Sequence, residues 1–199
     1  EMSMELKESI KSFLFTKNID CNFVMPTKNR KKKLLLADMD STIIKEESLD
    51  EIGKQIGIEK EIIKITNEAM NGKIDFKLAL QKRVAMLKGQ PAKLLNTLKK
   101  SININEGAKE LINTMKQNGA TTVLVSGGFT FLTEHLKTLL GFNYTHANSL
   151  EIKANKYNSD ILTGKIQGII LDNKAKLKYL DKYVKDNELS YEDTICVGD

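Results

Sequence analysis

Leu34-Leu35-Leu36-Ala37-Asp38-Met39-Asp40-Ser41-Thr42 is the stretch that decides the fold. Four apolar residues, entered from a basic run, have the pattern of a strand buried on both faces in a parallel sheet. Two carboxylates follow, two residues apart. The carboxyl end of such a strand is where open α/β sheets bind ligands. Two acids there are costly unless a cation or hydrogen bonds compensate them. The stretch therefore predicts a metal at this spot, or one acid as nucleophile and the other as proton shuttle.

The pattern on either side completes an α/β layout. Residues 1–33 form a separate zone, an extension and linker. Leu6, Ile10, Phe13 and Leu14 sit at helical spacing there, and Pro26 with the basic run Lys28–Lys33 marks a connector. From Glu46 to about Lys100 nearly everything has helical spacing, with Asp75 as an N-cap for a helix through Leu87. This strandless segment, 46–100, is expected to be a helical cap inserted into a core made of 34–45 and 101–199. Within that core the spacing predicts a helix over 106–118, stopped by Gly119, and a strand over 121–125 that ends in Ser126-Gly127-Gly128. A hairpin around Asn158-Ser159-Asp160, a helix over 174–185 and a strand over 194–197 follow. The expected fold is α/β, a Rossmann-like parallel sheet with helices on both faces and an inserted helical-bundle cap.

Composition sets the outer bounds. The chain has 199 residues, enough for one domain with an insertion. A hydrophobic share of 41% and a charged share of 29% suit a globular protein. The net charge of +5 comes from interspersed residues, with no aromatics threaded through a basic stripe and no Trp, so no nucleic-acid partner is expected. No apolar stretch approaches the ~18 residues of a membrane span, and no signal peptide is visible, so the expectation is a cytoplasmic protein with no membrane partner. Cys21 and Cys196 are far apart, with no disulfide or zinc spacing; Cys196 is expected as a small core residue of its strand. His135 and His146 lack metal-binding neighbours and are expected to be structural. Ser126 is no serine nucleophile of the elbow type, because Leu124 stands where that turn needs glycine.

Four features recur at strand carboxyl ends or the adjoining helix starts: Asp38 with Asp40, Ser126-Gly127, Lys174 and Asp199. A parallel sheet gathers such ends on one edge. Together they suit a phosphate monoester with a divalent ion. Glycines let backbone N–H groups approach phosphate, a lysine neutralises its oxygens, and hard carboxylates suit Mg²⁺.

This ordered set resembles the haloacid dehalogenase superfamily of phosphotransferases, and within it the bacterial phosphoserine phosphatases. The matching strings are Ala37 to Thr42, Glu47 to Ile52, Ile65-Thr66 with Ala69-Met70, Asp75-Phe76, Arg83-Val84 before Leu87-Lys88-Gly89, Ser126 to Phe129, Ala147-Asn148, Leu162 to Gly164 and Val197-Gly198-Asp199. The resemblance covers about residues 34–199 and implies the following roles. Asp38 is the nucleophile that forms an aspartyl-phosphate, and Asp40 the acid and base. Ser126, Gly127 and Lys174 hold phosphate. Asp38, the Asp40 backbone carbonyl and Asp199 hold Mg²⁺. Glu47 pairs with the ammonium of a phosphoserine substrate and Arg83 with its carboxylate, while Met70 and Phe76 close an apolar lid. The implied protein is a Mg²⁺-dependent hydrolase of O-phospho-L-serine in serine biosynthesis, a monomer or homodimer.

Taken alone, Met70 and Phe76 also suit bundle core, and Arg83 a surface charge. Ser48 stands where many relatives carry cysteine, without an evident chemical consequence. In the family the last motif continues beyond Gly-Asp, with an asparagine near the phosphate and a further acid at the metal. Residues 1–199 alone are therefore expected to bind metal weakly and act slowly. The rival expectations are a related phosphatase or phosphotransferase on another small phosphomonoester, such as one with homoserine as acceptor or a nucleotide, and an inactive truncated remnant.

Overall fold

The computed structural model describes residues 2–23, 30–154 and 159–199. Pro26, Lys28 and Asn158 of the expected connector and hairpin turn lie outside the described residues. The chain divides into two units, Glu1–Lys31 and Lys32–Asp199. The first holds α1, Met4–Phe15, capped where Ser3 Oγ accepts the Leu6 N–H at 3.2 Å. None of its residues is buried.

In the second unit a 5-stranded sheet has the order β4-β3-β2-β1-β5. The strands are β1 (Leu34–Ala37), β2 (Thr121–Phe129), β3 (Tyr144–Lys153), β4 (Ile161–Gln167) and β5 (Thr194–Val197). β1, β2, β3 and β5 pair in parallel, and β4 is antiparallel to β3. All four β1 residues are buried, and alternation explains why all four are apolar. Leu35 and Ala37 pack on one face with Ile112 of α6 (Ala108–Gln117) and Leu132 and Leu136 of α7 (Thr130–Leu140). Leu34 and Leu36 pack on the other with Tyr183 and Val184 of α8 (Asn173–Asp186).

Four helices follow β1 before α6 returns the chain to the sheet: α2 (Ser48–Gln55), α3 (Glu59–Met70), α4 (Phe76–Ala85) and α5 (Leu94–Ser101). Asp75 caps α4 as expected, its carboxylate accepting the Leu78 N–H at 2.8 Å. Ile52, Ile62, Leu80, Val84 and Leu98 form a core of their own, which also takes in Phe129 of β2 and Leu162 of β4. Gly53 lies close under Ile62: a Cβ there would come 2.8 Å from its Cδ1, so the Ile62 side chain would have to shift. Lys77 of α4 reaches Asp172, the N-cap of α8, at 3.2 Å.

Three expectations need correction. β2 does not stop at Val125 but runs on to Phe129, with a register shift against β3 between the two. The hairpin's first arm is the distal half of a strand that begins at Tyr144; its proximal half pairs with β2. Cys196 is exposed rather than buried: it and Ile195 lie outside the core formed by the described residues. No described helix is long and apolar enough to cross a membrane.

Gly164 of β4 marks the close approach of the sheet to α4. Its φ is +79, and a Cβ would lie 2.9 Å from Lys88 Cβ and 3.0 Å from the Ala85 carbonyl oxygen. Gly168 has the same φ of +79 but open space around it. Alanine at either site carries a left-handed penalty of about 1 kcal/mol. Gly164→Ala adds overpacking of about 1–3 kcal/mol. Urea unfolding of the two variants checks this; equal losses would show that β4 does not press on α4.

Candidate active site

The register decides what meets at the sheet's carboxyl edge. Ala37 lies opposite both Leu124 of β2 and Val197 of β5, so Asp38 just past β1, Ser126 within β2 and Asp199 just past β5 lie at nearly one level. The chain order reverses between β1 and β5, and the crevice at such a switch point is the expected ligand position. A cavity of about 170 Å³ opens there. Asp38, Asp40, Glu47, Ser48, Phe76, Arg83, Ser126, Gly127, Gly128, Lys176 and Asp199 are among its lining residues.

Asp38 is held from three sides. Its N–H donates to the Val197 carbonyl at 2.9 Å, continuing the ladder beyond β1. Its Oδ1 accepts the Met39 N–H at 2.8 Å. Its Oδ2 accepts a hydrogen bond from the Lys176 ammonium. The two side chains are largely shielded, 18% and 28% exposed, so the pair is screened less than a surface ion pair. This arrangement fixes the position of the carboxylate at the mouth of the cavity.

Here the structure corrects the assignment of the cation. Lys174 is exposed and does not line the cavity; Lys176 does. Both lie in the first turn of α8, whose entry Asp172 fixes by accepting the Ala175 N–H at 2.9 Å. Two residues along a helix turn a side chain by about 200°. Only one of the two lysines can face β1. Sequence gave a Lys-x-Lys pair without the helix phase that chooses between them.

Asp40 has a different environment. Its Oδ1 accepts the Ser48 N–H and its Oδ2 the Ser48 hydroxyl, both at 3.1 Å. Gly128 packs against the same carboxyl: a Cβ there would fall 2.9 Å from Asp40 Oδ2 and 3.0 Å from Ser48 Oγ. Burial, reinforced by the negative charges of Glu47 and Asp38, pushes the Asp40 pKa up to about 7, against the lowering pull of the Ser48 bonds. One acid thus carries a salt bridge while its neighbour can keep a proton near neutrality. Ser48 and Gly128 were not expected at the site. Capping position and strand composition give no sign of them, since their role depends on α2 meeting β2.

The anion side is built from β2. Ser126 is buried, and the Gly128 N–H donates to its Oγ at 2.9 Å. Asn148 of β3 braces the turn, donating to the Gly127 carbonyl at 2.8 Å and accepting the Leu171 N–H at 2.7 Å. The Phe76 ring lies over Gly127, where a Cβ would come 3.0 Å from its Cζ. Of the other expected substrate contacts, Glu47 lines the cavity and accepts the Ser41 hydroxyl at 2.6 Å, and Arg83 lines it from α4. Met70 does not: it ends α3, is 81% exposed and leads into the Asn71-Gly72 turn. The histidines stay outside the site; His146 Nε2 lies 2.8 Å from the Tyr183 hydroxyl and its ring stacks on Tyr179.

The donor set suits a hard divalent cation. Asp38, Asp40 and Asp199 line one cavity, and carboxylate and carbonyl oxygens are the donors such an ion takes. Among the described residues no group of three or more His, Cys, Asp and Glu side chains gathers.

The sign of Asp40's effect on stability follows from its shift. Between its ordinary value of 3.8 and about 7, the folded chain holds a proton that the unfolded chain releases. Stability from this group therefore falls as pH rises through that window. Asp40→Asn, which cannot ionise, should melt progressively higher than the parent from pH 4 to pH 8 in metal-free buffer. A melting difference independent of pH would contradict the shift.

The sequence pattern of the haloacid dehalogenase-like hydrolases matches residues 35–199. The chain is 42% identical over 170 residues to the phosphoserine phosphatase of Methanocaldococcus jannaschii, covering 85% of this chain and 78% of that one. It is 40% identical over 173 residues to the phosphoserine phosphatase of Archaeoglobus fulgidus, covering 87% of this chain and 49% of that one. A substrate-bound phosphoserine phosphatase structure superposes with a TM-score of 0.77 at 40% identity, over 85% of this chain and 79% of that one. The chain spans only 49% and 65% of the length of two of the curated relatives it matches.

Proposed function

This chain belongs to the haloacid dehalogenase-like hydrolase family, and on that premise we propose that it hydrolyses O-phospho-L-serine to L-serine and phosphate through a phosphoryl group carried on Asp38. The observation that carries the proposal is the asymmetry of the two acids, one paired with Lys176 and the other raised to about 7. The relatives named as phosphoserine phosphatases support the substrate.

Substrate phosphate sits among Ser126, Gly127 and Lys176. The Asp38 carboxylate attacks phosphorus in line, and the bond to the serine oxygen breaks as that oxygen takes the Asp40 proton. Water then attacks the same phosphorus, giving a proton back to Asp40 and releasing phosphate and the Asp38 carboxylate. The Lys176 ammonium offsets the charge of the transferring group. Mg²⁺, general in this family, would be held by Asp38, the Asp40 carbonyl and Asp199, and supplies further charge neutralisation.

Glu47 is assigned to the substrate ammonium and Arg83 to its carboxylate. The cavity of about 170 Å³ favours a ligand of amino-acid size over a nucleotide, since drug-sized ligands occupy sites of roughly 300–1,000 Å³. The four helices α2–α5, seated on the sheet through Phe129 and Leu162, act as the cap that carries these contacts.

Phosphate release from O-phospho-L-serine with Mg²⁺ tests the proposal. Asp38→Asn should abolish it. Lys176→Met should cost roughly a hundredfold or more in kcat, the scale of losing a transition-state charge contact, while Lys174→Met should stay within about twofold, as an exposed side chain outside the cavity. Release that survives Asp38→Asn sinks the nucleophile, and the reverse order of the lysine variants sinks the choice of cation.

A further inference from the structure

We infer that Thr66 of α3 is a specificity-determining residue: its hydroxyl holds the Arg83 guanidinium in place at the cavity, ready for a substrate carboxylate. This rests on the phosphoserine reading above and deepens it.

The Thr66 hydroxyl donates to the Ile62 carbonyl one turn back, at 3.1 Å. Its single hydrogen is thereby committed, and the oxygen is left as an acceptor. Arg83 Nη1 donates to that oxygen at 3.1 Å, across the gap between α3 and α4. A second, longer bond runs from Arg83 Nε to the Ala79 carbonyl at 3.4 Å, within α4. Arg83 is thus fixed by two neutral oxygens, and among the described residues no carboxylate lies within ion-pair distance of it.

That is an unusual state for a half-buried guanidinium beside acids. Burial weighs against its charge, and Asp50, Glu47 and Asp40 act on it in favour. A charge taken from water without a partner is costly, so the site stores an unmet demand for a carboxylate. Thr66 keeps that demand from being met internally. Released, the guanidinium would be drawn to Asp50, which does not line the cavity, and away from the position of a substrate carboxylate. The isolated helix α3 gives no hint of this, because a threonine bonded to the carbonyl four residues back is ordinary in a helix.

The test compares kcat/KM of the full chain on O-phospho-L-serine and on O-phosphoethanolamine, which keeps phosphate and ammonium but lacks the carboxylate. Thr66→Val removes the acceptor and keeps the shape; Thr66→Ser keeps the hydroxyl. Thr66→Val should lose roughly tenfold on phosphoserine, mainly in KM, as expected for one hydrogen bond to a charged group. It should be unchanged on phosphoethanolamine, and Thr66→Ser should retain the parent preference. Equal losses on both substrates, or no loss on either, would overturn the role of Thr66. A parent chain with no preference for phosphoserine over phosphoethanolamine would instead remove the substrate reading, and this inference with it.

Discussion

Two carboxylates at the end of a strand buried on both faces are the constraint on which this structure depends. β1 cannot carry charge along its length, since Leu34 to Ala37 are enclosed by helices on either side. The chain places Asp38 and Asp40 where the burial ends, and each then needs its own compensation. Asp38 receives a cation from α8, on one side of the sheet. Asp40 receives two hydrogen bonds from the start of α2, in the inserted helices. Sheet, α8 and insertion are thereby bound into one site by the needs of two side chains.

The division of labour between the two acids follows from that geometry rather than from their identity. A salt bridge favours the ion, and enclosure beside other negative charges favours the proton. Gly128 matters for the same reason. It occupies the point where β2 passes the Asp40 carboxyl, and no side chain fits between them. The inserted helices add a second layer, in which Phe76 covers Gly127 and Arg83 stands braced by Thr66.

What was legible in the sequence was local. β1 shows itself as an uninterrupted apolar run, Asp75 as a capping residue before a helical stripe, and Ser126-Gly127 as a polar, side-chain-poor break after a β-branched run. The resemblance added the order of the motifs, and the cavity gathers Asp38, Asp40, Glu47, Phe76, Arg83, Ser126, Gly127 and Asp199. What was not legible depends on how elements meet. Lys176 rather than Lys174 faces Asp38 because of the phase of α8. Ser48, by its residue type alone, gave no sign of holding Asp40. Met70 lies at a helix end turned to solvent, and Cys196 looks like core when only its neighbours along the chain are known.

The most direct test of Asp38 as the group that takes the phosphoryl is to trap it. The chain is mixed with O-phospho-L-serine and Mg²⁺, quenched in acid within a turnover, digested, and the peptides are weighed. A phosphoryl group on the peptide containing Asp38, absent in Asp38→Asn, is the result expected. Phosphate release without any phosphoryl on Asp38, or with it on another residue, would contradict the role of Asp38 at the end of β1.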